Sequence, residues 1–440
     1  MSRRISKLAC GRAYRAGGRV VASSRLRTGT SNLNTLVAAP CRVSAIGTGH
    51  PRSIPALRYK STMTEATANP LSGLWKPTHL QALWYGPNSV KSHLLESLPQ
   101  ESSKAFIVTG SSLATKTPLI RQTEELLGPK HHAGTFANIK QHAPVAQLDE
   151  ATDAVIKDPS IDTIISIGGG SPIDSCKAIS YRLNEKVGKY LFHISIPTTL
   201  SAAECSMNAG YTQEDGTKTG VANPELAPHV IIYDAKFALE TPPKLWMSTG
   251  LRALDHAVEL LYHPTATEVP AKDLCLSAAS RLFSGLPKYK DDPKNEDNIT
   301  QLQLASFASL GFLGLNIKGA LGLSHTLGYA LGSPYSIPHG ITSCLTLGHV
   351  VKLKAQDPQA AAQIARLAPF LGLTRSGDDQ QDATEVGGAI LDLVKLLGLA
   401  TTLNEYNVGQ DQIPIIVKRA TRQEQGDLYD QVAKLVRALY

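Results

Sequence analysis

Thr163-Ile-Ile-Ser-Ile167-Gly168-Gly169-Gly170-Ser171-Pro172-Ile-Asp174 is the stretch on which the reading of this chain turns. A run of β-branched residues suits a strand. The glycine triplet lets backbone turn sharply and come close to a ligand. Ser171, Pro172 and Asp174 then read as the cap, first position and first turn of a helix. Where a strand stops in glycines and a helix starts, free amides aligned with the helix dipole favour a bound pyrophosphate. An ordinary tight turn would use the same residues, so the triplet alone leaves both readings open.

Outward from this stretch, short β-branched runs at 105–109, 192–196 and 230–233 alternate with polar helical patterns such as 146–156. That alternation predicts a parallel sheet with helices on both faces. Two loops after strands carry hydroxyls: Gly110-Ser111-Ser112, with Lys116 nearby, and Pro197-Thr198-Thr199-Leu-Ser201. Pro242-Pro243 marks a boundary, because consecutive prolines continue neither a helix nor a central strand. We therefore expect an α/β domain over 71–243 and an all-helical domain over 244–440. Helical periodicity runs through 244–263, 268–287, 299–332, 341–372, 383–397 and 411–439. Gly311, Gly314, Gly319 and Gly322 lie inside the third of these and are read as the small residues of closely packed helices.

The formal charge of +7 is concentrated at one end. Twelve of the 44 basic residues precede Glu65 and no acid does, leaving 32 bases against 37 acids in the remainder. Nucleic-acid binding by the body of the chain has no electrostatic support. The Arg- and Ser-rich, acid-free leader, residues 1–62, reads as a mitochondrial transit peptide with a processing region at Arg58-Tyr-Lys-Ser61-Thr. A disordered basic tail, or translation from Met63 and residence in the cytoplasm, is the alternative. Cys10 and Cys41 fall in the leader. Cys176, Cys205, Cys275 and Cys344 are scattered without a CxxC pair, which argues for reduced thiols over disulfides or structural zinc. The longest strongly apolar stretch, 304–315, is too short to span a membrane and reads as a buried core helix.

The chemistry-bearing residues lie in the second half. In Gly250-Leu-Arg252-Ala-Leu-Asp255-His256-Ala-Val-Glu259, Arg252 and His256 are four apart and share a helix face. In Gly322-Leu-Ser-His325-Thr-Leu-Gly-Tyr329, continuing to Pro338-His339-Gly340, two histidines stand fourteen residues apart. Together with the glycine turn and the 197–201 loop, these segments resemble the iron-containing alcohol dehydrogenase family over about 71–440, and its maleylacetate reductase branch in particular.

The resemblance implies a Rossmann-like dinucleotide domain followed by an all-helical metal and substrate domain, the architecture of dehydroquinate synthase. Its implied nicotinamide contacts are Gly110, Ser111, Gly168, Gly169, Gly170, Ser171, Asp174, Thr198, Thr199 and Ser201. In relatives that favour NAD an aspartate commonly follows the first strand. Its absence at Gly110 leans the expectation towards NADPH, with NADH open. In most of the family one aspartate and three histidines hold a divalent metal, Fe2+ or Zn2+. Carried onto this chain, the histidines are His256, His325 and His339, and the aspartate position is Arg252. A guanidinium has no lone pair to donate and repels a dication. Asp255, adjacent to His256, points about 100° away around the helix.

Two mechanisms stay open at this point. Three histidines can hold a catalytic metal with water completing the shell. Without metal, Arg252 can hold a substrate carboxylate or developing oxyanion, with His256 or His325 supplying the proton. A surface ion pair of Arg252 with Asp255 or Glu259 is the structural alternative. Tyr329 stands where many relatives carry another histidine and can donate to substrate or simply fill the pocket. His142 is similar to a residue of the maleylacetate reductase branch, whereas His131, His132, His193, His229 and His349 are read as structural. The expected activity is hydride transfer between NAD(P) and a small alcohol, aldehyde or keto acid, in a homodimer. A metal-free maleylacetate-type reductase and a non-catalytic dinucleotide-binding protein are the alternatives.

Overall fold

In the computed structural model, residues 74–140, 143–214 and 218–440 are described. The leader and His142 lie outside the described residues. The strands of the first half are β1 (Ala82–Tyr85), β2 (Lys104–Thr109), β3 (His132–Phe136), β4 (Ile161–Gly168), β5 (Phe192–Pro197), β6 (Asn208–Thr212), β7 (Lys218–Ala222) and β8 (Val230–Tyr233). Helices α1 (Ser89–His93), α2 (Ser111–Lys116), α3 (Leu119–His131), α4 (Val145–Ile156), α5 (Gly170–Val187) and α6 (Ala235–Ala238) lie between or after them. Six strands form one parallel sheet in the order β1-β8-β5-β4-β2-β3, and β6 and β7 pair as a separate antiparallel ribbon.

The period-two alternation of each strand sorts its side chains onto two cores. Phe106, Val108 and Ile164 pack with Leu148, Ala151, Ile179 and Leu183 of α4 and α5. Ala105, Ile107, Ile165 and Ile167 pack on the other face with Val90, Leu119 and Ile120 of α1 and α3. A sheet buried on both faces needs continuous apolar strands, which is why β4 and β5 read so clearly from sequence. Strands β1 and β3 sit at the edges, and their sequences, Ala-Leu-Trp-Tyr and His-Ala-Gly-Thr-Phe, carry no such run.

Beyond Pro242 the chain is helical: α7 (Pro243–Leu261), α8 (Asp273–Asp291), α9 (Glu296–Leu310), α10 (Leu323–Tyr335), α11 (His339–Lys354), α12 (Pro358–Ala365), α13 (Asp379–Leu396), α14 (Ile413–Thr421) and α15 (Asp427–Arg437). The expected long helix over 299–332 is broken between 311 and 322. Its glycines make a loop: Gly314 and Gly319 have φ of 64° and 88°, a left-handed backbone that stops a helix, and of the four only Gly322 lies against a side chain of another helix. Likewise 341–372 divides at Asp357, which caps α12 by accepting from the Gln359 and Ala360 amides. No described helix is long and apolar enough to cross a membrane. The four cysteines from Cys176 to Cys344 are free and buried.

Helix α7 is the axis of this half. Every residue from Trp246 to Leu261 is buried, so the helix has no solvent face, and polar residues on any side of it meet protein.

Candidate active site

Strand register gathers the three loops expected to hold a dinucleotide. Thr109 pairs with Ile167, and Gly168 with Pro197, so Gly110, Gly169 and Thr198 leave the sheet side by side at its carboxyl end. Strand β3 lies outside β2, while β4 returns to the inner side and leads on to β5. The order of the sheet thus reverses between β2 and β4, the place where open α/β sheets bind ligands.

Gly168 has φ of 140°, a conformation that a side chain would strain. A Cβ on Gly169 would lie 3.0 Å from Thr199 Cγ2, so backbone and the Thr198–Ser201 loop close on each other there. The α5 cap is Gly169, which displaces the Ser171 cap expected from sequence: the helix starts at Gly170, two residues earlier than a Ser171 cap allows. The first-turn amides of this 18-residue helix lack intrahelical acceptors and face the turn. Ser201 Oγ is buried without a hydrogen-bond partner. Asp174, expected at the cofactor, instead accepts from the Gly210 amide at 3.1 Å and sits 3.6 Å from the buried Lys177 ammonium. It anchors the β6–β7 ribbon. Ser111 opens α2 and is exposed.

The Thr198–Ser201 loop connects this cradle to α7. The Thr198 amide donates to Gly168 O at 2.9 Å, and the Leu200 amide to Thr249 Oγ1 at 3.1 Å. Arg252 follows three residues after Thr249, so the reacting residues begin one helical turn from the dinucleotide loop.

Arg252 is 7% exposed. Its Nη1 donates to Ser343 Oγ at 3.3 Å and lies 3.7 Å from Asp255 Oδ2. The half-exposed Tyr329 ring stands 6.0 Å from the guanidinium carbon, and its edge-on partner at 6.1 Å is His339, at the start of α11. Among the described residues, Nε and Nη2 of Arg252 have no hydrogen-bond partner. The expected alternative of a surface ion pair is corrected in its setting: the Arg252–Asp255 pair exists, but inside the protein, because α7 has no surface.

Asp255 is fully buried and belongs to the site despite its rotation around α7. Its Oδ2 accepts from Ser324 Oγ at 2.8 Å and Ser343 Oγ at 2.6 Å, and its Oδ1 is 3.4 Å from His325 Nδ1. Burial works to raise its pKa, but the charges of His325 and Arg252, with the bonds from His325 and Ser343, hold it below the ordinary value. Glu259, also fully buried, accepts from His325 Nδ1 at 2.6 Å, the Ser324 amide at 2.7 Å, Tyr262 Oη at 3.1 Å and the His325 amide at 3.3 Å. Ser324 and Ser343 are site residues that sequence reading passed over, and Glu259, considered there only as a surface partner for Arg252, bonds His325 instead. An acid between Val258 and Leu260, in an apolar helical run, was the available signal.

The His256 and His325 rings are 4.8 Å apart. His256 Nδ1 and His325 Nε2 are buried with no hydrogen-bond partner. Burial, then the charges of His325 and Arg252, push His256 well below its ordinary pKa, so it is neutral. For His325, burial and Arg252 act in the same direction, yet the Asp255 and Glu259 carboxylates outweigh them and raise its pKa.

Among the described residues, ligand-type atoms of Asp255, Glu259 and His325 all lie within 4.8 Å of one another, a gathering of the kind that can hold a metal ion. His256, His325 and His339 do not form such a group. Glu259 and Asp255 Oδ2 are engaged by hydroxyls, amides and His325, and the 2.6 Å between His325 Nδ1 and Glu259 Oε2 is a hydrogen bond, whereas Asp255 Oδ1 is buried without a hydrogen-bond partner. As these side chains stand, Glu259 and His325 are bonded to each other and a permanent cation, Arg252, lies beside Asp255, an arrangement that opposes a dication between them.

Residues 81–235 match the family described as iron-containing alcohol dehydrogenase, and residues 246–435 its C-terminal domain. The maleylacetate reductase of Sphingobium indicum is 30% identical over 319 residues, spanning 71% of this chain and 83% of that protein. The chain belongs to the iron-containing alcohol dehydrogenase family. It is an oxidoreductase of that family. Another member, the 1-propanol dehydrogenase PduQ of Citrobacter freundii, is 26% identical over 307 residues, covering 69% of this chain and 80% of its own. The solved alcohol dehydrogenase from Oenococcus oeni shares the fold, with a TM-score of 0.74 at 20% identity over 84% of this chain and all of that one. Within the iron-containing alcohol dehydrogenases, then, this chain combines the family fold with a buried arginine, Arg252, beside Asp255.

Proposed function

We propose that the chain is an NAD(P)-dependent carbonyl reductase or alcohol dehydrogenase in which Arg252, and not a metal, stabilises the reacting oxygen. The observation that carries this reading is the unused half of a buried guanidinium. Nη1 is held by Ser343 and Asp255, which leaves Nε and Nη2 as charged donors, and the same guanidinium acts by its charge on both His256 and His325, whose Nδ1 and Nε2 respectively are buried without a partner. Such donors suit a carboxylate or an oxyanion.

A bound nicotinamide supplies the hydride. In the reducing direction, Arg252 draws charge onto the carbonyl oxygen, and His325 releases its Nε2 proton to that oxygen as the new C–H bond forms. One hydride and one proton thus convert carbonyl to alcohol, and the reverse reaction returns the proton to His325. Neutral His256 accepts a hydrogen bond at Nδ1, and Tyr329 covers the guanidinium. The absence of an acid at Gly110 supports NADPH over NADH.

The second reading, a maleylacetate-type reductase acting on an activated double bond beside a keto acid, draws support from the Sphingobium relative and from the same Arg252 donors. Both are tested by following NAD(P)H oxidation over aldehydes, ketones and 4-oxo acids, with product analysis separating carbonyl from alkene reduction. His325→Ala should lower kcat by about 10²- to 10⁴-fold; turnover at the wild-type rate would remove His325 from the chemistry. Within this reading the protein is a mitochondrial matrix homodimer. Recovery of a cytosolic chain beginning near Met1, by mass spectrometry of native protein, would overturn the import, and light scattering reads the assembly.

A further inference from the structure

We infer that Glu259 is a positioning residue that keeps a proton on Nδ1 of His325 and so reserves Nε2 for the reaction. The inference rests on the reading of His325 as proton donor. Glu259 projects from α7 onto the first turn of α10, where it accepts from the Ser324 and His325 amides as a cap supplied by another helix. A cap alone would not need it. Ser, Thr, Asp or Asn at position 322 would cap α10 from within, but that position is Gly322, whose own side chain makes no cap. A Cβ there would lie 2.4 Å from Glu259 Oε1. Residue 322 has therefore given up local capping to admit a carboxylate from α7, and that carboxylate reaches one atom no cap would touch, His325 Nδ1 at 2.6 Å.

Asp255 Oδ1 approaches the same nitrogen at 3.4 Å. Two carboxylates facing one ring nitrogen require a proton on it, because a lone pair there would meet acceptors on both sides. The proton that leaves is then the one on Nε2, the buried ring atom without a protein partner. After it leaves, Nδ1–H remains bonded to Glu259 and the ring keeps its orientation for the next turnover. A carboxylate behind a working histidine commonly serves in this way.

The test is Glu259→Gln, nearly the same shape. The amide oxygen should stay with the Ser324 amide, the tightest backbone contact at 2.7 Å, which turns the amide NH2 towards His325 Nδ1 and favours a proton on Nε2. In protein labelled with [15N]histidine and titrated upward in pH until His325 loses one proton, the neutral ring should shift from the Nδ1–H pattern of the wild type towards the Nε2–H pattern. Alongside, kcat should fall about 10- to 100-fold, with KM changing by less than about threefold. Gly322→Ala, which displaces the carboxylate without altering it, should move both readouts in the same direction. If either variant folds with reduced melting temperature but with the wild-type His325 spectrum and kcat, Glu259 is a helix cap only and the inference fails. The two readings fail separately: an unaffected His325→Ala removes the proton donor, whereas an unchanged His325 spectrum in Glu259→Gln removes the positioning role.

Discussion

Replacing Gly169 should cost dinucleotide affinity in two separable parts. A Cβ at this position lies 3.0 Å from Thr199 Cγ2 and 3.2 Å from its Oγ1. Thr199 has little freedom to yield, being 5% exposed in a loop bonded to Gly168 on one side and to Thr249 of α7 on the other. Gly169→Ala therefore forces the loop by an overpacking strain of about 1–3 kcal/mol, part of which appears as a roughly tenfold weaker Kd. Gly169→Asp adds a charge against the pyrophosphate. At about 5 Å and an effective dielectric of about 20, one pair of unit charges repels by roughly 3 kcal/mol, or about two further orders of magnitude in Kd. Titration of NADH and NADPH by fluorescence at low and high salt reads both parts, because the charge component shrinks with ionic strength and the steric one does not. Folded variants that bind both cofactors with the wild-type Kd, or an aspartate variant no weaker than alanine, would show that the cradle is misplaced.

Gly110→Asp should raise the preference for NADH over NADPH by about tenfold or more. The position has an ordinary extended backbone (φ −90°, ψ 150°), and its Cβ would meet Ile139 O at 3.3 Å, so the change is tolerable to the fold; comparison of kcat/KM for the two cofactors decides it. His193, bonded through Nε2 to Ser166 at 2.9 Å with its Nδ1 buried and unpartnered, is held neutral because burial and then the Lys177 charge push its pKa well below 6.5. The native state binds fewer protons there than the unfolded chain, so stability is present above pH 6.5 and lost as pH falls below it, by up to about 1.4 kcal/mol per pH unit. Denaturant melts between pH 7 and 5 should show a slope to which the buried His256 also contributes, and His193→Gln should reduce it by the His193 share; an unchanged slope would contradict the assignment.

Sheet strands and the glycine turn were legible because burial on both faces leaves β4 and β5 as unbroken β-branched runs. Edge strands β1 and β3 and the β6–β7 ribbon carry no such run, and pairing, not composition, makes them strands. The loop at 311–322 was misread because glycine in a helix-rich stretch has two meanings, close packing or left-handed backbone, and spacing does not separate them. At the site, the motifs single out Arg252, His256 and His325, which the fold brings into one buried cluster, while the Asp174 carboxylate, expected at the cofactor, accepts from the Gly210 amide of the ribbon, a contact no local spacing announces. Asp255 looked misdirected because a helix was assumed to have an outside. On a helix buried all round, a residue 100° from His256 still faces protein, and here it faces Arg252 and His325. Glu259 reads from sequence only as a surface partner for Arg252, since what gives it its role is α10, sixty-odd residues further on.

Metal content measured together with turnover tests the central claim most directly. Purified protein would be assayed for bound iron and zinc, and its activity followed before and after chelation, beside Arg252→Ala. We expect substoichiometric metal, activity indifferent to chelator, and a fall of about 10²- to 10³-fold in kcat for the folded variant, the loss expected when a donor to a developing oxyanion is removed. Wild-type turnover that vanishes on chelation and returns with iron or zinc, while Arg252→Ala remains active, would contradict the account.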